Sequence, residues 1–304
     1  MFLARTPATV SLKLESRPDS VACVRAVLSG AGESVGLGRE LLDDLRTAVS
    51  EACNNVVLHA YGEKPGPLLV DVALNAGEIR VAVADRGVGL RSLTVGQERM
   101  RVGIPLISAL ADRAEFLSVE GKGTEVRMAF TGGGARAGPG PRSGANATKR
   151  GLRGDFAHES LSGDVVAFVS PSSLLSGVLS RVCSVIAVRA QFTVDRHSDL
   201  ALVTDAVAAQ VVETAPEGGV GFSVVVLERR LELTIGPLPT GSATHLRSAY
   251  GAGPGVAGHL LAPLQRLVDG LDIERARDGE MLSLLMLDRR PPAREPASGV
   301  SPPR

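Results

Sequence analysis

The feature that most constrains this chain is a long internal repetition. Residues 44–60 read DLRTAVSEACNNVVLHA, and residues 199–215 read DLALVTDAVAAQVVETA. Each stretch is followed by two strand-like runs, at 68–74 and 79–84 in the first half and at 222–227 and 231–235 in the second. LISALADRAEF at 106–116 is then answered by LQRLVDGLDIE at 264–274, and each half closes on an alternating strand, at 125–130 and 282–287. The order of elements is the same in both halves, and the period is far too long for a solenoid. The chain therefore reads as an internal duplication with one layer architecture used twice.

Periodicity supplies that architecture. Leu41, Leu45, Ala48, Ala52 and Val56 recur at spacings of three and four, so residues 40–58 form an amphipathic helix. Val70, Val72 and Leu74 alternate, as do Val81 and Val83, and again Val126, Met128 and Phe130. Helices mixed with antiparallel hairpins give an α+β fold, a two-layer sandwich with helices on one face of a sheet. Apolar residues make up 44% of the chain but aromatics only 3%, with no Trp. The cores must therefore be built from Val, Leu, Ala and Ile.

Between the halves, residues 131–154 read TGGGARAGPGPRSGANATKRGLRG, where no hydrophobic period survives. This predicts a flexible linker whose random-coil span is roughly 25–30 Å. Its cations, Arg136, Arg142, Lys149, Arg150 and Arg153, read as solvated. The expected domains are 8–130 and 155–288, with a disordered, proline-rich tail at 289–304.

The 33 Lys+Arg residues balance 33 Asp+Glu. No long-range field draws the chain to nucleic acid or an anionic membrane. Cys23, Cys53 and Cys183 lack CxxC spacing and read as buried, reduced side chains. The N-terminus lacks the pattern of a secretory signal, and no uninterrupted apolar run approaches membrane-spanning length. The expectation is a soluble, cytoplasmic protein.

Polar residues capable of chemistry cluster in the first half. Glu51 and Asn55, four apart, share one helix face. A carboxylate there can polarise a hydroxyl, and an amide oxygen can ligate Mg²⁺. The strand at 81–84 ends in Asp85-Arg86-Gly87-Val88-Gly89, where an aspartate can accept from an exocyclic amine and the glycines let backbone approach a ligand. Gly103 precedes the apolar run 104–110, a natural phosphate site if a helix starts there. Gly121-Lys122-Gly123-Thr124 forms the turn before the last strand.

In this order SEACNNVVLHAY, VADRGVG, VGIPLISALAD and GKGTEVRMAF resemble the N-box, the Asp-Gly-x-Gly loop, the lid-end block and the closing Gly-x-Gly-Thr block of the GHKL (histidine kinase-like) ATPases. The resemblance covers residues 8–130, and within the superfamily the pattern is similar to the bacterial anti-sigma serine kinases. It implies ATP and Mg²⁺ as cofactors, with a sigma factor and a serine-bearing anti-anti-sigma protein as partners. It implies Glu51 as the general base and Asn55 as the Mg²⁺ ligand. Asp85 would be the adenine contact, Gly87 and Gly89 the base-pocket loop, Gly103 the phosphate-facing lid end, and Thr124 a second contact near adenine. His59 reads as a packed helix-end residue.

The lid is short, about a dozen residues from Gly89 to Gly103, so a non-catalytic, nucleotide-gated binding module stands as the alternative to a kinase. Arg99 and Arg101 either meet the phosphates or are solvated. The second half loses the polar set. By sequence, Ala206 stands for Glu51, Ala209 for Asn54, Gln210 for Asn55 and Pro237 for Asp85, while Gly279–Leu282 answers the GKGT turn. The expectation is a degenerate pseudo-ATPase domain. Because such kinases commonly act as homodimers, it would pack face to face with the first domain and supply the second subunit internally.

Overall fold

The computed structural model describes residues 8–75, 77–89, 98–119, 122–131, 161–214, 219–243 and 264–289. The expected linker after Thr131, the lid at 90–97, Gly121 and the tail from residue 290 lie outside the described residues.

Alternation in β1 (Ala8–Glu15) sends Val10, Leu12 and Leu14 to one face, where all three are buried. The same face takes Leu68, Val70, Val72 and Leu74 of β2 (Pro67–Asn75) and Ile79, Val81 and Val83 of β3 (Glu78–Asp85). Two helices cover it. Pro18 at its first position and Asp19 in its first turn favour the start of α1 (Pro18–Ser34). α2 (Arg39–Asn55) turns Leu42, Leu45, Ala48, Val49, Ala52 and Cys53 inward. Burying a side chain such as Leu45 stabilises by about 1.5–3 kcal/mol. α3 (Glu98–Leu110), β4 (Arg113–Val119) and β5 (Gly123–Phe130) complete the half.

The second half runs through β6 (Val165–Ser170), α4 (Leu175–Arg189), α5 (Val194–Thr214), β7 (Val220–Leu227) and β8 (Arg230–Leu238), then a short helical turn (Leu264–Leu267), β9 (Gly270–Ala276) and β10 (Gly279–Leu287). All ten strands belong to one antiparallel sheet, ordered β4-β5-β3-β2-β1-β6-β7-β8-β10-β9. Its second half repeats the connectivity of the first, read outward from the centre. α1 packs on α2 and α4, and α4 on α5. One apolar cluster runs from Val10 to Met286.

The two halves therefore meet edge to edge through β1 and β6, where face-to-face packing was expected from sequence. A strand edge carries unpaired backbone groups, and joining two edges satisfies both. The outermost strands β4 and β9 instead carry exposed charges, Arg113 and Glu115 on one and Asp272, Glu274 and Arg275 on the other. Among the described residues, one helix, Ser172–Arg189, is long and apolar enough to cross a membrane by length and composition. Here it packs between α1 and α5.

Candidate functional site

The expected helix over 40–58 is α2 with a change of pitch. It is α-helical to Asn55 and continues as a π-helical turn, Val56–Ala60. Such widened turns concentrate at functional sites. Beyond it the chain extends at Tyr61. The turn brings His59 and Ala60 beside the end of β3.

A cavity of about 40 Å³ lies there, lined by Asn55, His59, Asp85, Gly89 and Thr124, with Ala52, Val83, Ile104, Phe116 and Val126 among its apolar walls. Four sequence-predicted residues, Asn55, Asp85, Gly89 and Thr124, thus converge on one space. Asp85 is buried. Its Oδ1 accepts from the Gly87 N–H at 2.8 Å, and Thr124 donates to it through both backbone and hydroxyl. Burial raises its pKa above the ordinary 3.8, and these hydrogen bonds offset only part of the rise. The Thr124 hydroxyl also lies 3.3 Å from Ser118 Oγ.

Gly87 borders the site from behind. A Cβ there would sit 1.9 Å from the Ala60 carbonyl oxygen, so only glycine permits this approach. The same carbonyl accepts from Val88 N at 3.1 Å. Tyr61 completes the support, with its hydroxyl accepting from Arg86 N at 2.7 Å and donating to the Pro67 carbonyl at 2.7 Å. The end of the N-box therefore fixes the Asp85 loop.

Sequence reasoning gave Tyr61 no role and read His59 as packing. Both ring nitrogens of His59 are buried and, among the described residues, have no hydrogen-bond partner, beside the cavity. Unsatisfied buried polar atoms are costly, and a bound polar ligand would satisfy them. The sequence signal was available, because His59 stands four residues beyond Asn55 on the same helix face.

Gly103 differs from its expected setting. α3 begins at Glu98, so Gly103 lies inside the helix rather than before it, and its N–H is not a free N-terminal donor. A Cβ on Gly103 would fall 2.3 Å from Glu51 Oε1 and 3.2 Å from Asn55 Nδ2. α3 is therefore seated directly on the pair expected to face the phosphates.

Residues 14–130 match the family described as the histidine kinase-like ATPase domain. This stretch of the chain is a histidine kinase-like ATPase domain. It is also similar to "Serine-protein kinase RsbW" from Bacillus mycoides (strain KBAB4), at 26% identity over 126 residues, covering 37% of this chain and 79% of the relative. The protein of the same name from Bacillus cereus (strain AH820) is 31% identical over 94 residues, covering 31% of this chain and 57% of the relative. That from Bacillus thuringiensis (strain Al Hakam) is 32% identical over 79 residues, covering 26% of this chain and 49% of the relative. The chain thus spans about half the length of the last two.

An ATPase domain implies a nucleotide, and the residues present fit one. The His59 nitrogens, the carboxylate of Asp85 and the close backbone approach at Gly87 are polar and glycine features that an adenine base could meet. The cavity as it stands has room for a few water molecules.

Sheet register fixes the corresponding positions in the second half. Leu12 pairs with Val70 and Ala167 with Phe222. Val70 then pairs with Val83 and Phe222 with Ile235, so Pro237 stands where Asp85 does. The buried residues Leu45, Ala48, Ala52 and Val56 of the first half match Leu200, Val203, Val207 and Val211 of the second. That register puts Ala206 at the place of Glu51 and Gln210 at the place of Asn55.

The closing turn corrects the sequence alignment by two residues. Val83 pairs with Val126 and Ile235 with Leu282, so the counterpart of Thr124 is Glu280 and not Leu282. Glu280 is buried, and its Oε2 accepts from Ala243 N at 3.0 Å. The three cysteines are buried as expected, and burial pushes each thiol up to about 12.

Proposed function

We propose that the chain is an ATP-dependent regulator of the anti-sigma type, with serine/threonine-protein kinase activity toward an antagonist protein. The observation that carries this reading is the convergence of Asn55, Asp85, Gly89 and Thr124 on one cavity, with Glu51 one turn from Asn55, in an ATPase domain similar to serine-protein kinases. ATP would supply the phosphoryl group, which needs positioning and charge neutralisation more than covalent help. Asp85 accepts from the adenine amine. Asn55 holds Mg²⁺ through its amide oxygen, a hard ligand suited to a hard cation. Glu51 accepts the proton of the substrate serine hydroxyl. A sigma factor and a serine-bearing anti-anti-sigma protein are the partners, and the cytoplasm is the setting. Residues 155–288 are read as a degenerate copy of the same domain, with its ligand-facing residues lost and its apolar pattern kept.

A second reading, a nucleotide-gated binding module without phosphotransfer, is favoured by one feature. Gly103 of α3 occupies the approach to Glu51 and Asn55. The two readings are separated by capturing partners with and without Mg-ATP and assaying phosphate transfer to each captured protein. ATP binding with transfer that depends on Glu51 supports the kinase; ATP binding without transfer supports the module.

A further inference from the structure

The register across the centre of the sheet is self-complementary. Leu12 and Ala167 hold the same place in their respective halves, as their pairings with Val70 and Phe222 show. They are also paired with each other. Counting outward, Thr9 meets Ser170 and Leu14 meets Val165. Each residue before Leu12 faces the residue equally far beyond its own equivalent. An isologous two-fold interface between identical subunits has this pattern, and here both sides belong to one chain.

The helix layer packs closely across the same seam. α1 crosses α4 with glycine against glycine. A Cβ on Gly30 would fall 1.9 Å from the Gly177 carbonyl oxygen, and one on Gly177 would fall 2.9 Å from the Gly30 carbonyl oxygen. Arg181 pairs with Glu33. Arg189 bridges Asp19 at 3.3 Å and Asp164 at 2.7 Å. The seam is therefore specified by backbone pairing, close helix approach and charge together.

We propose that residues 161–288 act as a permanently attached partner. They occupy the β1 edge and the α1 face through which a second copy of the first half would pair, so the chain works as a monomer. The tether makes the pairing independent of protein concentration and covers an edge strand that would otherwise invite association. The nucleotide site is then single for each particle. That last clause rests on the proposed function; the pairing itself does not.

The test uses the full chain with a protease recognition sequence inserted after Gly140. Light scattering at micromolar concentration should give the mass of one chain, 31.5 kDa. After cleavage the two pieces should elute together at that mass. Gly177→Leu in the cleavable chain should make the pieces separate, with the first-half piece pairing with itself. Because that variant can misfold, Arg181→Glu provides a milder check. It should loosen the cleaved pair at least several-fold, and adding Glu33→Arg should restore it. A stable dimer of intact chains, or pieces that part without any substitution, overturns the proposal. These readouts use no nucleotide, so failure here is distinct from failure of the kinase reading.

Discussion

The two ends of the sheet are built on one connectivity and differ in what fills the space beside the second helix. In the first half Asp85, Thr124 and Asn55 line an open cavity, and His59 keeps two unsatisfied nitrogens next to it. In the second half Pro237 and Gln210 stand at the corresponding places, and Glu280 is buried with its oxygen on Ala243 N. One end lines a cavity with polar groups. The other satisfies its polar group from within. The difference teaches that one connectivity, with the apolar face of each helix and strand kept, can carry different polar residues at corresponding places.

Four experiments test that contrast, from the largest expected effect to the smallest. Glu51→Gln should leave nucleotide affinity nearly unchanged and lower phosphotransfer by roughly 10²–10⁴-fold, the usual worth of a general base. Ala206→Glu in the same variant should restore nothing. A phosphotransfer assay reads both, and parental rates in Glu51→Gln would remove the base assignment.

Asp85→Asn should weaken nucleotide binding by about 1.5–3 kcal/mol, the range for a hydrogen bond to a charged group, as read by calorimetric titration. A pH series sharpens this. The folded state holds the Asp85 proton more tightly than the unfolded chain does, because burial raises its pKa above 3.8. Its contribution to stability is therefore present below 3.8 and is lost as pH rises through the raised value. Nucleotide binding needs the carboxylate, so it should move the opposite way and fall as pH drops through that same raised value. Affinity that stays flat on the acid side would argue against a contact through ionised Asp85.

Glu280→Ala should act on the other end only. It leaves Ala243 N–H buried without its acceptor, at a cost of about 1–3 kcal/mol in denaturant unfolding, with no change in nucleotide affinity. Lost ATP binding in this variant would place a working site where none is assigned. Tyr61→Phe should cost least, about 0.5–1.5 kcal/mol, because water can replace the hydroxyl at the exposed Arg86 N–H. It should also weaken nucleotide binding slightly by freeing Arg86 and the loop behind Asp85. A variant with parental stability and affinity would show that the loop is held by Gly87 and Ala60 alone.

Much of this was legible along the chain because it depends on local periods. The spacing of Leu45, Ala48, Ala52 and Val56 marked α2, and the alternation of Val81 and Val83 marked β3. The blocks around Asn55, Asp85 and Thr124 marked the domain that the comparison then matched over residues 14–130. The setting of Gly103 was misread because the apolar run starts at Ile104, while α3 itself begins at Glu98 among polar residues with no apolar period. Thr124 was aligned with Leu282 because both turns begin with glycine. Only pairing shows that Gly279 opens its hairpin as Gly123 does, with Leu282 opposite Ile273 as Val126 is opposite Phe116, which makes Glu280 the true counterpart.

The sequence by itself determined the element order, the apolar faces, the repetition and the residue types at the first site, because each is written within a few helical turns or one strand pair. The tertiary structure alone decided how the halves meet. Whether two open sheets stack or join depends on which backbone edges remain unpaired, and no side-chain pattern records that. β1 and β6 each left one edge free, and their antiparallel pairing made one ten-stranded sheet. The burial of Glu280 was decided in the same way, because only the fold brings Ala243 N–H to meet its carboxylate.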